Sequence, residues 1–210
     1  MQLILASSSP RRQELLVLLG LSFSVVSPDV HEHPTPELAP IEQVKRFALE
    51  KARAVVAQLP DGLVLGSDTV IELDGQLLGK PVDLQDARIM LARLAGRSHH
   101  VHTAVALCSR GREIEFVEAD TANVEMKPDR ENLYDRYLAS QESLGKAGAY
   151  AIQGFGGDLV DRIDGDYTTV VGLPLKLVAR SLGLAGYLVP VHVEDLYQRR
   201  PYANWNRFAV

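Results

Sequence analysis

The chain has 210 residues, 46% of them hydrophobic and 23% charged, with a formal net charge of -5. That length suits one domain with a large core or two lobes around a cleft, and the composition excludes a disordered or fibrous chain. The negative balance argues against gripping a nucleic-acid polymer, though a small anion can still be held by local Lys, Arg or metal ions in a cleft. Cys108 is the only cysteine, so no intrachain disulfide can form and a reducing compartment, the cytoplasm, is expected. The apolar start Leu3 to Ala6, soon followed by Arg11 and Arg12, is too short for a signal h-region or a membrane span.

Leu3 to Ala6 reads as a buried strand, Ser7-Ser8-Ser9 as a polar loop, and Pro10 as the first position of a helix that Gly20 closes. Phe23 to Val26 is a second strand, leading into the polar segment Pro28-Asp29-Val30-His31-Glu32. From Pro40 to Leu59 apolar residues recur at helical spacing, which puts Lys51 and Arg53 off the buried stripe. Leu63 to Leu65 and Val70 to Leu73 are β-rich runs flanking Gly66-Ser67-Asp68-Thr69, and Asp74-Gly75 signals a hairpin before Gln76 to Leu78.

Asp83 to Leu94 is expected to be a helix ended by Gly96, and His102 to Cys108 and Ile114 to Val124 strands, with His99 and His100 capping the loop before them. A helix from Pro128 to Ala139 precedes a Gly-rich stretch, Gly145 to Gly157. Val170 to Leu173 is expected as a strand, followed by a helix to Leu182. The tail from Tyr187 to Val210 has no clear periodicity and reads as a docked arm or a disordered end. Alternating strands and helices favour an α/β or mixed α+β architecture.

Several groups can carry chemistry. Ser7-Ser8-Ser9-Pro10-Arg11-Arg12 offers hydroxyls, free amides at a helix start and two guanidiniums, a set that binds phosphate oxygens or merely caps a helix. Asp68, Asp29 and Glu32 lie at strand ends or in loops, where carboxylates can share a hard divalent cation. Lys51 and Lys80, the latter in Gly79-Lys80-Pro81, are matching cations. Gly145 to Gly157 permits close backbone approach to a ligand, with Gln153 able to read a base edge. No Walker A loop, GxGxxG, HExxH or Gly-x-Ser-x-Gly elbow is present.

Seven blocks, Ala6 to Arg12, Asp29 to Glu32, Glu50 to Ala52, Gly66 to Val70, Gly79 to Pro81, Lys146 to Gly154 and Val171 to Pro174, resemble the Maf family in order and spacing over residues 1–186. The resemblance implies a mixed α/β fold of two lobes around a central cleft, similar to the inosine triphosphate pyrophosphatases. It also implies hydrolysis of a nucleoside triphosphate to monophosphate and pyrophosphate, and homodimers. Ser7, Arg11, Glu32, Lys51, Asp68 and Lys80 fall on the family's catalytic and phosphate-binding positions, Asp68 on the proton acceptor.

Arg11, Thr69 and Gln153 fall on positions tied to base choice. With Lys146 they look like the branch acting on dTTP, UTP and modified pyrimidine nucleotides, whereas the 7-methyl-GTP branch carries Glu where Gln153 stands. The expected mechanism uses Mg²⁺ or Mn²⁺ held by Glu32 and Asp68, with Arg11 and Arg12 among the residues gripping the substrate. The expected partner is therefore a free nucleotide, not a nucleic-acid polymer or a membrane. A non-catalytic nucleotide-binding regulator, linked to septum formation by the same resemblance, is the alternative. The tail, 187–210, lies beyond the family body and inherits nothing.

Overall fold

In the computed structural model, which describes residues 1–130 and 132–208, the expected opening unit is present. Strand β1 (Leu3–Ala6) is buried throughout and runs through the serines into helix α1 (Pro10–Val17). Pro10 opens the helix, where its missing N–H is no loss, and Gly20 turns the chain with φ 69°. Strand β2 (Phe23–Val26) lies parallel beside β1.

The two expected runs around Asp68 are one strand, β3 (Leu63–Leu73), parallel to β1 on one edge and antiparallel to β5 (Ser98–Ser109) on the other. Asp68 is therefore inside a strand, opposite Ala104, with Thr69 opposite Thr103. Asp74 and Gly75, with φ of 54° and 77°, make the two-residue turn into β4 (Gln76–Leu78), both left-handed as such a turn requires. With β6 (Ile114–Met126) and β7 (Val160–Asp164) the sheet has seven strands, in the order β2-β1-β3-β5-β6-β7 with β4 beside β3.

Strand alternation divides the core between the two faces. Ile4, Ala6 and Val64 pack under helix α2 (Pro40–Val56) with Val44, Phe47, Ala48, Ala52 and Val55. Leu3, Leu5, Leu63 and Leu65 face the larger cluster, which includes α3 (Leu84–Leu94), α4 (Leu133–Ala139) and α6 (Leu175–Leu184). Gly66 sets the closeness of α2: a Cβ there would lie 2.4 Å from the Ala48 carbonyl oxygen and 2.9 Å from Ala52 Cβ. Gly66→Ala is expected to push α2 off the strand and cost about 1–3 kcal/mol, the usual penalty for overpacking, read as a lowered urea midpoint.

Some expectations fail for physical reasons. Lys51 lies on the buried side of α2, only 8% exposed, because carboxylates face it; Arg53 alone is off the stripe, paired with Glu115. His99 and His100 belong to β5, and His99 is buried against the Tyr150 hydroxyl at 2.8 Å. The helix expected from Pro128 begins only at Leu133, after Asn132 in a left-handed conformation. Asp129 Oδ1 there accepts the Tyr134 amide, and the Tyr134 hydroxyl donates to the Lys127 carbonyl, local bonds that compete with helix. Glu131, in that expected helix, lies outside the described residues.

The strand expected at Val170 to Leu173 is instead the end of helix α5 (Tyr167–Val171), capped by Asp166 and stopped by Gly172 at φ 119°. Cap and glycine outweigh the β-branched run. The missed strand is β7, where Asp161, Arg162 and Asp164 interrupt the apolar signal. The tail is docked to Phe208: α7 (Val193–Arg199) and α8 (Ala203–Arg207) bury Leu196, Trp205 and Phe208 in the larger cluster. Its last two residues, Ala209 and Val210, lie outside the described residues.

Candidate active site

A cleft of about 460 Å³ opens at the carboxyl ends of β1 and β2, a size suited to a small-molecule ligand. The loop after β1 brings Ser7 and the start of α1 brings Arg11 and Arg12. The segment after β2 brings Glu32, α2 brings Lys51, and β3 brings Asp68 and Thr69. Lys80, Lys146 and Gln153 enter from the turns after β4 and α4. All ten residues singled out as site residues therefore line one cleft. Asp29 does not; it is exposed, and only its neighbours Pro28 and Val30 line the wall.

Five cationic side chains face two carboxylates in that lining, so the cleft is locally positive although the chain is negative. Such a concave, cationic surface attracts polyanions. At its floor Lys51 Nζ lies 2.5 Å from Asp68 Oδ1 and 2.5 Å from Glu32 Oε1. The contact depends on Gly66, two residues before Asp68, which brings α2 down onto β3.

Burial pushes the Asp68 carboxyl above its ordinary value, against the opposing pull of Lys51 and Arg12. Burial acts on Glu32 in the same direction, but the hydrogen bond and charge of Lys51, with Lys80 and Arg12, outweigh it and hold Glu32 below its ordinary value. The two carboxylates thus differ in proton affinity, the more basic one being the more buried. Desolvation also lowers Arg11 and Arg12 from their usual values, and lowers Lys146 together with repulsion from Arg11.

Arg12 is braced on three sides. Its Nε donates to the Gly172 carbonyl at 2.8 Å, Nη1 to Ser7 Oγ at 3.4 Å and Nη2 to Thr69 Oγ1 at 3.1 Å. Thr103 Oγ1 donates to the Thr169 carbonyl at 2.7 Å, so the 3.0 Å contact between Thr69 and Thr103 is donated by Thr69. The resulting chain of bonds, Arg12 to Thr69 to Thr103 to backbone, joins α1, β3, β5 and α5 into one preorganised wall. Ser9 is the N-cap of α1 but makes no side-chain capping bond, and Ser7 Oγ instead accepts the Ser9 amide. The simple serine-capped helix therefore does not account for these serines, and the first amides of α1 have no intrahelical acceptor.

Sequence reading gave no role to Ser67, which donates to the Gly172 carbonyl, to Thr103 or Gly172, or to the apolar wall of Ile71, Val101, Tyr150 and Val171. Each lies in an ordinary strand or turn pattern and acquires its role only through partners far along the chain. The expectation for Gly156 and Gly157 also changes. A Cβ at Gly156 would lie 2.0 Å from the Ala151 carbonyl oxygen, and one at Gly157 2.4 Å from Asn204 Nδ2, so these glycines admit the protein's own atoms, and neither lines the cleft.

Among the described residues no three His, Cys, Asp or Glu side chains cluster as metal ligands, and no helix is long and apolar enough to cross a membrane. Cys108 is buried in β5, and burial pushes its thiol up to about 11, so at neutral pH it is a protonated core residue rather than a nucleophile.

Fold and cleft define a mixed α/β protein that presents a buried carboxylate, its pKa raised by burial, at the floor of a mainly cationic cleft. The chain belongs to the Maf-like protein family, whose model matches residues 2–184, as the seven blocks implied. It is 49% identical over 186 residues to the dTTP/UTP pyrophosphatase of Symbiobacterium thermophilum, an alignment covering 89% of this chain and 95% of that protein. It is 46% identical to the dTTP/UTP pyrophosphatase of Bacillus velezensis, covering 86% and 95%. For that of Shewanella oneidensis the figure is 44%, covering 90% and 100%.

Proposed function

We propose that this chain is a nucleoside triphosphate pyrophosphatase that hydrolyses dTTP and UTP, and modified pyrimidine nucleotides, to the monophosphate and pyrophosphate. The observation that carries the reading is Asp68, a buried carboxylate of raised proton affinity on the floor of a cleft whose other charged walls are mainly cationic. The names of the relatives support the choice of nucleotides. Arg11, Thr69 and Gln153, which with Lys146 resemble the pattern of the pyrimidine branch, support it further.

In this reading Asp68 accepts the proton of the attacking water. Arg11, Arg12, Lys51, Lys80 and the first amides of α1 bind the triphosphate and meet the charge that grows on its oxygens. Thr69, Arg11 and Gln153 choose the base. Glu32 and Asp68 would hold a divalent cation, Mg²⁺ or Mn²⁺. Two hard carboxylates already flank one cation, the Lys51 ammonium, and such ions need only one or two carboxylates when phosphate oxygens complete the shell. When bound, the ion polarises phosphoryl oxygens and acidifies water.

We further infer a catalytic body over residues 1–186 with 187–210 as an extension, working as a cytoplasmic homodimer on free nucleotides rather than nucleic acid. The family resemblance and the lone cysteine support this.

Incubation with a panel of triphosphates and Mg²⁺ or Mn²⁺, with product identification, tests the reaction. Monophosphate plus pyrophosphate is expected; orthophosphate from the γ position would sink the reading, and tight binding without turnover would favour the regulator. The pH profile gives a second test. Protonated Asp68 cannot accept a proton, so kcat/KM should fall as pH drops through the Asp68 pKa, which burial raises and a bound divalent cation would lower. Residual activity of Asp68→Asn that keeps the parental acidic limb would assign the proton to another group.

A further inference from the structure

The C-terminal helices α7 and α8 lie outside the family match, which ends at residue 184, yet they bond to two segments that carry cleft-lining residues. On one wall the Asn204 amide donates to the Ile152 carbonyl at 2.7 Å and to the Gly154 carbonyl at 3.2 Å. Those two carbonyls flank Gln153, so one side chain ties the backbone on both sides of a cleft-lining residue. Gly157 leaves the space that Asn204 occupies, and Arg207 Nη1 pairs with Asp158 Oδ1 at 2.8 Å.

On the other wall the Tyr197 hydroxyl donates to Asp166, the cap of α5, whose residues Val170 and Val171 line the cleft. Trp205 joins the two attachments. Its ring stacks on Tyr167 of α5 at 5.5 Å and meets Tyr197 of α7 edge-on at 4.9 Å, so α8 is fixed relative to α5 by aromatic packing. The segment 151–158 has short 3-10 turns and a left-handed Gly154 rather than a long helix or strand. Without such ties a loop of this kind samples several backbone arrangements.

We propose that Asn204 is a positioning residue for base recognition: the C-terminal extension is a strap that holds the Gln153 segment in its reading position and so sharpens discrimination among nucleoside triphosphates. The strap takes no part in hydrolysis, since neither Asn204 nor Arg207 lines the cleft. The inference rests on the proposed role of Gln153 in choosing the base.

The test uses the full chain. Asn204→Asp keeps the shape but replaces the amide donors with a carboxylate facing two carbonyls; Asn204→Ser removes the reach without adding charge; Asn204→Gln keeps the donors. Steady-state kinetics with dTTP, UTP and CTP are measured beside Gln153→Ala, together with hydrogen exchange of residues 150–158. In Asn204→Asp and Asn204→Ser the dTTP-to-CTP ratio of kcat/KM should fall about tenfold, the loss of one or two net hydrogen bonds. The change should be carried by KM, with kcat within about twofold, and Asn204→Gln should recover most of the ratio. Exchange should rise over 150–158 and stay unchanged around Asp68.

A parental ratio in the Asp and Ser variants, while Gln153→Ala shifts it, would overturn the strap. So would a loss confined to kcat. A parental ratio in Gln153→Ala would overturn the base-reading role itself. The exchange of 150–158 then judges the strap alone, with unchanged protection in Asn204→Ser counting against it.

Discussion

Asp68→Asn is expected to lower kcat by about 10²–10⁴, the usual contribution of a positioned general base, while leaving the protein folded. The amide keeps the carboxylate's shape, and its oxygen can still accept from Lys51 Nζ, which lies 2.5 Å from Asp68 Oδ1. What it loses is the proton-accepting oxygen and one negative charge. Because burial already pushes the Asp68 carboxyl up, a neutral group at this position carries less desolvation cost, and the melting temperature should be unchanged or slightly higher. Pyrophosphate release and a thermal melt of the same preparation check both halves. Parental turnover in the folded variant would remove Asp68 from the chemistry.

Lys51→Met should give the largest loss of stability in the cleft. Methionine fills the volume of the aliphatic stem, but Asp68, 6% exposed, loses the cation at 2.5 Å and Glu32 loses the same partner. Removing one member of a buried ion pair costs about 3–5 kcal/mol, because the other charge stays buried and uncompensated; the partial exposure of Glu32 puts the expectation at the lower end. The deficit depends on pH with a definite sign. Glu32 is held below its ordinary value by Lys51, so its stabilisation is present above the unfolded carboxylate pKa and fades as pH falls through the folded one. Asp68 without Lys51 has its pKa raised further, so its burial is tolerated at low pH and becomes costly as pH rises. The Glu32 contribution is already complete at both pH 5 and pH 7, which lie above its folded and unfolded pKa, so the Asp68 effect alone makes the deficit larger at pH 7 than at pH 5. Urea titrations of parent and variant at the two pH values measure it, and an equal deficit at both would mean that packing, not charge, is what Lys51 supplies.

Helix α2, strands β1 and β2, the Asp74-Gly75 hairpin and the Asp83-capped α3 were legible in sequence, because each depends on local signals: apolar periodicity, a proline or aspartate at a helix start, a glycine at a turn. Where the signal is not local, the reading went astray. Strand β3 carries Ser67, Asp68 and Thr69 in its middle and reads as two runs, but each of the three has its polar atoms satisfied by Gly172, Lys51, Arg12 or Thr103. A strand can keep such residues buried only when partners distant in sequence pair with them.

Lys51 shows the same limit from the opposite side. By period it belonged to the solvent face of α2, and it is buried because Asp68 and Glu32 face it. The tail had no period to read at all; its order comes from Trp205 packing among Tyr167, Tyr197 and Tyr202.

By itself the sequence determined the fold class and, through the order and spacing of its seven blocks, the resemblance to the Maf family, which implied the ten residues that line the cleft; residue type, local order and motif spacing are properties of the chain. Only the tertiary structure decided that Glu32 and Asp68 share one ammonium while Asp29 stands apart, that Arg12 is braced by Thr69 and Gly172, and that Asn204 reaches Gln153's neighbours. Those are contacts between residues far apart along the chain, and their energies depend on distance, burial and the partner's charge, none of which exists until the sheet brings the elements together.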